Sequence, residues 1–482
     1  MAQAQTSSEH PTELEHAALT RSDAVQSRRR ILRAATLLRD RRVTMGELAA
    51  AAGVGRSTLY RHFPTRQLLE AALDSSEETE PARGPVSGQV ETLPYTAPGQ
   101  LGRERPIALE VTRILEEVPP HLVPDQLVAE ARRAGGVPVA LYVVDIDGSH
   151  LLRLAGSEEF PEQLDAPPAL GPEIVPEGLP EFHDRLQQQL PGCVCEPLWL
   201  RGRVTALLLC IGSPATPLED IAKQGAAALE LADDYTDSIA AARRRKPTTP
   251  AAEIQQHLFP PRIARIAGAQ LAGVLLPTYE VGGDWFDFVE NQNGAWLAIA
   301  DANGTGATAA GLGASVLGAL RAARRSGQDL REALELMHET VLGLEHDAFQ
   351  VTVWLARWRA ATATLSWVNC GHPTAFLVDT DDRLHELEGP LDPPLGSPKK
   401  HAFEITRQQL APGERLIMVT NGILQRRLEN GGKFGVDGIR SALEDATSRS
   451  AAATALAIQH GVTDSWKEPL DDDGTIVVMA IE

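Results

Sequence analysis

The stretch GGDWFDFVENQNGAWLAIADANGTG, residues 282–306, decides how the C-terminal half of this 482-residue chain reads. A strand-like run at 271–276 precedes Gly282-Gly283-Asp284, and a second at 296–300 leads into Asp301-Ala302-Asn303-Gly304-Thr305-Gly306. Two carboxylates thus stand at strand ends. The small residues beside them let backbone carbonyls and water approach a hard divalent cation, which prefers oxygen ligands. A helix is expected at 307–325. Working outward, strand-like 415–419 leads to Thr420-Asn421-Gly422, and Asp471-Asp472-Asp473-Gly474 leads to a terminal strand at 475–481. Each motif alone is a common surface turn, and the ordered series is what carries the signal.

That series resembles the SpoIIE/RsbU-like branch of the PPM (PP2C-type) serine/threonine phosphatases over residues 252–482. It includes Gln256-His257-Leu258-Phe259-Pro260, the GGDWFDF and DANGTG segments, Cys370-Gly371-His372-Pro373, Pro394-Leu395-Gly396 and APGERLIMVTNG at 411–422. The resemblance implies an α+β fold, a two-sheet β-sandwich flanked by helices, with Asp284 and Asp301 as the catalytic pair. It implies metal ligation by Asp284, by Asp301 as the bridging acid, by the backbone carbonyl of Ala302, and by Asp472, with Asp473 as the alternative for the C-terminal acid. Two divalent cations, Mn²⁺ or Mg²⁺, are the implied cofactors. The implied reaction is hydrolysis of phosphoserine or phosphothreonine on a regulatory protein, such as an anti-sigma-factor antagonist. Two positions depart from the family pattern. Its usual TDG is Thr420-Asn421-Gly422 here, so Asn421 offers a neutral carbonyl in place of an anionic ligand. Its common DVSGHG is DANGTG. The alternative reading is a DNA-bound transcription regulator whose phosphatase-like domain only binds partners.

Upstream, residues 106–216 mix helix and strand. Helices are expected at 107–117 and 122–133, and strands at 139–146, 195–200 and 204–210. ALYVVDIDGSHLLRLAG (140–156) with EPLWLRGRVTALLL (196–209) resembles a GAF-type sensor domain. Residues 217–246 read as a connector helix, apolar at alternating three and four spacing from Leu218 to Ile239, suited to a homodimer and ended by Pro247 and Pro250. Its closing Arg243-Arg244-Arg245-Lys246 complements a helix C-terminus.

The net charge of −20 hides a local reversal, because residues 21–66 hold eleven arginines against three acids. Inside that island, Ile31, Leu32, Ala35 and Leu38 follow a helical period. Ala52-Gly53-Val54-Gly55 then turns into a short helix closed by Pro64. The run at 31–73, with TLYRHFP at 58–64, resembles the TetR-family helix-turn-helix, an all-α DNA-binding domain expected at 21–75. By that resemblance Arg56, Ser57, Thr58, Tyr60, Arg61 and His62 face duplex DNA, while Leu59 and Phe63 face the core. A linker rich in Glu, Ser, Pro and Gly is expected at 76–105. The four cysteines read as core thiols rather than a disulfide framework. No apolar run approaches a bilayer span, and the N-terminus MAQAQTSSEH lacks the pattern of a signal peptide, so a cytoplasmic protein is expected.

Overall fold

The computed structural model describes residues 118–482, apart from 277–281, 345, 347 and 469, together with a set of positions between Ile31 and Leu69. The chain divides into two compact units, Met1–Thr96 and Ala97–Glu482. In the first, Ile31, Ala35, Leu48, Ala52, Leu59, Phe63 and Leu69 bury one another. Leu59 and Phe63 therefore face a core, as expected, and the Phe63 amide donates to the Leu59 carbonyl at 2.8 Å in helical spacing. Arg56, Ser57, Thr58, Tyr60, Arg61 and His62, the linker at 76–105 and the helix at 107–117 lie outside the described residues.

The second unit begins with an α+β module. Its helices are α1 (Val123–Gly135), α2 (Leu179–Gln189), α3 (Glu219–Asp233) and α4 (Ser238–Ala242). Its strands are β1 (Val139–Val144), β2 (His150–Gly156), β3 (Gln163–Asp165), β4 (Ala169–Leu170), β5 (Glu173–Ile174), β6 (Cys193–Leu200) and β7 (Arg203–Ile211). They form one sheet ordered β3-β2-β1-β7-β5-β4, with β6 also pairing with β7. The run VALYVV in β1 is buried throughout because both faces of the sheet are covered. Val139, Leu141 and Val143 pack with α1 and α3. Ala140, Tyr142 and Val144 pack with Phe182 and Leu186 of α2.

The single connector helix expected at 217–246 is corrected by the structure. It is two helices, α3 and α4, and the Ser238 amide donates to Thr236 Oγ1 at 3.2 Å in the break, a local bond that competes with helix continuation. The apolar stripe of α3, including Ala222, Ala226 and Leu229, is consumed by the chain's own sheet. The arginine run makes ion pairs rather than only facing a helix end. Arg243 pairs with Asp233 at 3.4 Å, Arg244 with Glu253 at 2.7 Å, and Arg245 with Asp147 at 2.7 Å and with Asp145. Pro250 does not end a helix but opens one, α5 (Pro250–Leu258), at the position where its missing N–H costs nothing. Thr249 caps α5 by accepting from the Ala252 amide at 3.2 Å.

The rest of the unit is a β-sandwich. One sheet runs β10 (Asp284–Asn291), β11 (Gly294–Ala302), β12 (Val351–Arg359), β13 (Thr364–Cys370), β16 (Leu391–Asp392), with β17 (Thr406–Gln409) also on β13. The other runs β15 (Leu384–Glu386), β14 (Phe376–Val378), β18 (Arg415–Val419), β19 (Gly474–Ile481), β9 (Ala269–Leu276), β8 (Ile263–Ile266). Period-two alternation divides the core into layers. Phe286, Phe288, Leu297, Ile299, Leu416, Met418 and Val477 meet between the sheets. Trp285, Ala298 and Ala300 face outward to α6 (Gly306–Arg325) and α7 (Leu330–Leu342). On the opposite side α9 (Gly435–Glu444) and α10 (Ala451–Asp464) cover β9, β18 and β19, with a short α8 (Asn421–Leu424) after β18. The sandwich flanked by helices is the architecture the sequence implied.

Candidate metal centre

Asp284 is the first residue of β10 and Asp301 is the penultimate residue of β11, and the antiparallel register sets them directly opposite each other. Since Phe286 and Ile299 point between the sheets, Asp284 and Asp301, each two residues along, point the same way, to the open end of the sandwich. The second sheet closes on them. Asp284 Oδ2 accepts from Thr420 Oγ1 at 2.6 Å and Thr475 Oγ1 at 2.7 Å, at the end of β18 and near the start of β19. Thr420 Oγ1 in turn accepts from the Thr475 amide at 2.8 Å, so the two threonines act as one bracket.

Gln255, buried on α5, donates to the Asp284 carbonyl at 2.8 Å and to Asp473 Oδ2 at 3.1 Å, joining the N-terminal and C-terminal acids. The triple aspartate separates by environment. Asp471 pairs with Arg427 at 3.2 Å, Asp472 is exposed and accepts from the Asp473 amide at 2.9 Å, and Asp473 is buried. Asn421 is exposed at the first position of α8. The next residue, Gly422, lies so close to Asp473 that a Cβ would sit 1.8 Å from its carbonyl oxygen. Gly283 makes the same close approach to the Ala302 carbonyl, also 1.8 Å from a hypothetical Cβ. Only glycine fits at either place.

Asp284, Asp301, Ala302, Asp472, Asp473 and Asn421 are therefore gathered at one end of the sandwich. Burial, with Asp301 and Asp473 nearby, holds the Asp284 carboxyl well above its ordinary range. Burial and Asp472 push Asp301 up to about 6, and burial, partly offset by the Gln255 bond, pushes Asp473 up to about 6. Among the described residues, no arginine, lysine or histidine forms an ion pair with any of these four acids. An all-oxygen donor set with uncompensated charge fits a hard divalent cation. The Oε1 of Gln255 is buried without a hydrogen-bond partner.

The second acid of GGDWFDF does something different. Asp287 faces outward and pairs with Arg321 at 3.0 Å and Arg324 at 2.7 Å of α6, fixing helix to sheet. The Cys370-Gly371-His372-Pro373 motif is a structural corner. Asn369 and His372 exchange two 2.9 Å bonds, and Gly371, at φ 75°, abuts Pro394 of the Pro-Leu-Gly motif. Sequence reasoning missed Gln255, Thr420 and Thr475 as site residues. The signal for Gln255 was a polar residue in the apolar stripe of α5, beside buried Ala251 and Ala252. The threonines lie at strand ends, where polar residues are ordinary, and carried no signal.

Residues 291–482 match the model of the family Stage II sporulation protein E (SpoIIE), and residues 41–73 match bacterial regulatory proteins of the tetR family. The chain is similar to the phosphoserine phosphatase RsbU of Bacillus subtilis (strain 168), 22% identical over 230 residues, which cover 48% of this chain and 68% of RsbU. Among solved structures, the SiaA-PP2C domain of Pseudomonas aeruginosa is 18% identical with a TM-score of 0.42, covering 48% of this chain and 94% of that one. A structure of RsbU and RsbW domains from Mycobacterium tuberculosis is 22% identical with a TM-score of 0.40, covering 45% of this chain and 62% of that one. The C-terminal part of this chain is accordingly similar in sequence to SpoIIE/RsbU-type phosphatases, and it is an enzyme of the PPM serine/threonine phosphatase class.

Proposed function

We propose that this domain removes phosphate from serine or threonine of a regulatory protein, with Asp284 and Asp301 as the catalytic pair. The ligands of two Mn²⁺ or Mg²⁺ ions are Asp284, Asp301, the Ala302 carbonyl, Asp472, Asp473 and the Asn421 carbonyl oxygen. The observation that carries this reading is the set of carboxylates at the open end of the sandwich with no basic partner among the described residues. When bound, a pair of divalent cations neutralises phosphoryl charge and lowers the pKa of water. The protein supplies orientation. The Thr420–Thr475 bracket fixes the Asp284 carboxylate, Gln255 fixes Asp473 against the same strand end, and Asp301 presents its carboxylate from the facing strand. Hydrolysis of p-nitrophenyl phosphate with and without Mn²⁺ tests the reading, and turnover that ignores the metal would sink it.

The N-terminal domain, on this reading, binds duplex DNA as part of a homodimer, and the GAF-like module between supplies a sensor. The tetR-family match at 41–73 and the basic island support it. Replacing Tyr60 and Arg61 with alanine weakens DNA binding by roughly 1–3 kcal/mol in a mobility-shift titration and leaves phosphatase turnover unchanged. Loss of both together would refute the separation of roles. No helix among the described residues is long and apolar enough to cross a membrane. A second reading, a DNA-bound regulator whose phosphatase domain only holds a partner, draws on Asn421 standing where the family carries an acid. Absence of metal-dependent hydrolysis alongside retained partner binding would favour it.

A further inference from the structure

Across the first sheet of the sandwich, one row of side chains runs over three strands. Asp284 of β10 stands directly opposite Asp301 of β11, and Asp301 stands directly opposite Thr352 of β12. Residues paired in this way on antiparallel strands share a face of the sheet, with their Cβ atoms about 5 Å apart. The alternation along β12 agrees. Val351 and Val353 join the outer layer with α6 and α7, whereas Trp354, two residues on from Thr352, joins the layer between the sheets. Thr352 therefore lies on the same inner face as Asp301, at the same open end of the sandwich.

The two acids of this row are not supported alike. Asp284 accepts hydrogen bonds from the hydroxyls of Thr420 and Thr475. The Asp301 carboxylate accepts no hydrogen bond among the described residues, and burial and Asp472 are what act on it. Beside it, Thr352 Oγ1 is buried and has no hydrogen-bond partner. A hydroxyl buried unpaired is costly, and valine would fill the same branched outline on a strand without that cost. Packing alone gives no reason for a hydroxyl at this position. Its nearest cross-strand neighbour is an acid that lacks a donor, and rotation about χ1 of either side chain turns donor and acceptor toward each other.

We propose that Thr352 is a positioning residue of the metal centre, its hydroxyl donating to the Asp301 carboxylate when that acid holds a cation, as the Thr420–Thr475 bracket donates to Asp284. The inference rests on the metal-dependent phosphatase reading and adds to it a residue from a third strand.

The test compares the parent, Thr352→Val and Thr352→Ser in three measurements: Mn²⁺ binding by electron paramagnetic resonance, urea unfolding in EDTA, and hydrolysis of p-nitrophenyl phosphate. Thr352→Val should weaken Mn²⁺ binding about tenfold, as loss of one hydrogen bond to a charged group does, and lower turnover at a fixed subsaturating Mn²⁺ concentration. Its urea midpoint in EDTA should be unchanged or raised, because the substitution removes an unpaired hydroxyl from a buried place. Thr352→Ser keeps the hydroxyl and should restore Mn²⁺ affinity. A threonine that serves only the fold gives the opposite pattern, a lowered urea midpoint in Thr352→Val with Mn²⁺ affinity unmoved. That pattern, failure of Thr352→Val to fold, or equal loss of Mn²⁺ affinity in the valine and serine variants overturns the inference. A parent that binds no Mn²⁺ overturns the metal reading itself, whereas a parent and a valine variant that bind it equally overturn only the role of Thr352.

Discussion

Two acid clusters in this protein look alike in outline and differ in what balances them. In the first module, Asp145, Asp147 and His150 bring three potential ligand atoms within 4.8 Å of one another at the β1–β2 turn. There Asp145 accepts from the Ser149 and His150 amides at 2.9 and 3.0 Å, and Arg245 from the chain after α4 pairs with both aspartates. A cation already occupies that cluster, and it is a guanidinium. At the open end of the sandwich, Asp284, Asp301, Asp472 and Asp473 receive hydroxyl, amide and backbone donors but no basic side chain among the described residues. Proximity of carboxylates is thus a poor guide to metal binding, and the missing counter-charge is the informative feature.

The sharpest way to break this comparison is to neutralise one acid in each cluster. Asp301→Asn is expected to lower Mn²⁺-dependent hydrolysis about a thousandfold, the equivalent of several kcal/mol of lost charge stabilisation, with the fold retained. Asp145→Asn should leave turnover intact and instead lower stability by about 1–3 kcal/mol, measured by urea unfolding, because it strands Arg245 and two amides. Equal loss of activity in both variants would erase the distinction.

A pH experiment gives a smaller but directional effect. Folded Asp301 and Asp473 titrate near 6 against an ordinary 3.8, so between those values the native state holds more protons than the unfolded chain. Stability in EDTA therefore falls as pH rises through that window, and Mn²⁺ binding strengthens over the same range because the cation competes with the protons. Urea midpoints at pH 4.5 and 7, compared between the parent and Asp301→Asn, check the sign. A steeper fall in the variant would contradict it.

The smallest expected change is at Asn421. Asn421→Asp adds one anion beside Asp473 and should lower the Mn²⁺ concentration for half-maximal activity by roughly three- to tenfold. An unchanged or weakened metal response would show that the asparagine is not a simple deficit.

Local pattern determined a good deal of this protein. The apolar run at 296–300 marked a strand leading to Asp301, and the small residues beside Asp284 and Asp301 marked places where backbone comes close, as Gly283 does against the Ala302 carbonyl. Those signals are local, since they depend on period, size and turn chemistry over a few residues. What only the tertiary structure decided was partnership over long separations. Asp284 and Asp287 look equivalent in sequence, yet α6 supplies arginines to the outward one and the second sheet supplies threonines to the inward one. The register of the triple aspartate depended on Arg427 taking Asp471 and on Gln255, 218 positions away, taking Asp473. The stripe on α3 was read correctly as apolar, but whether it faced a second subunit or its own sheet was decided by which surface the chain placed beneath it, and burial against β6 and β7 left no long helix to extend.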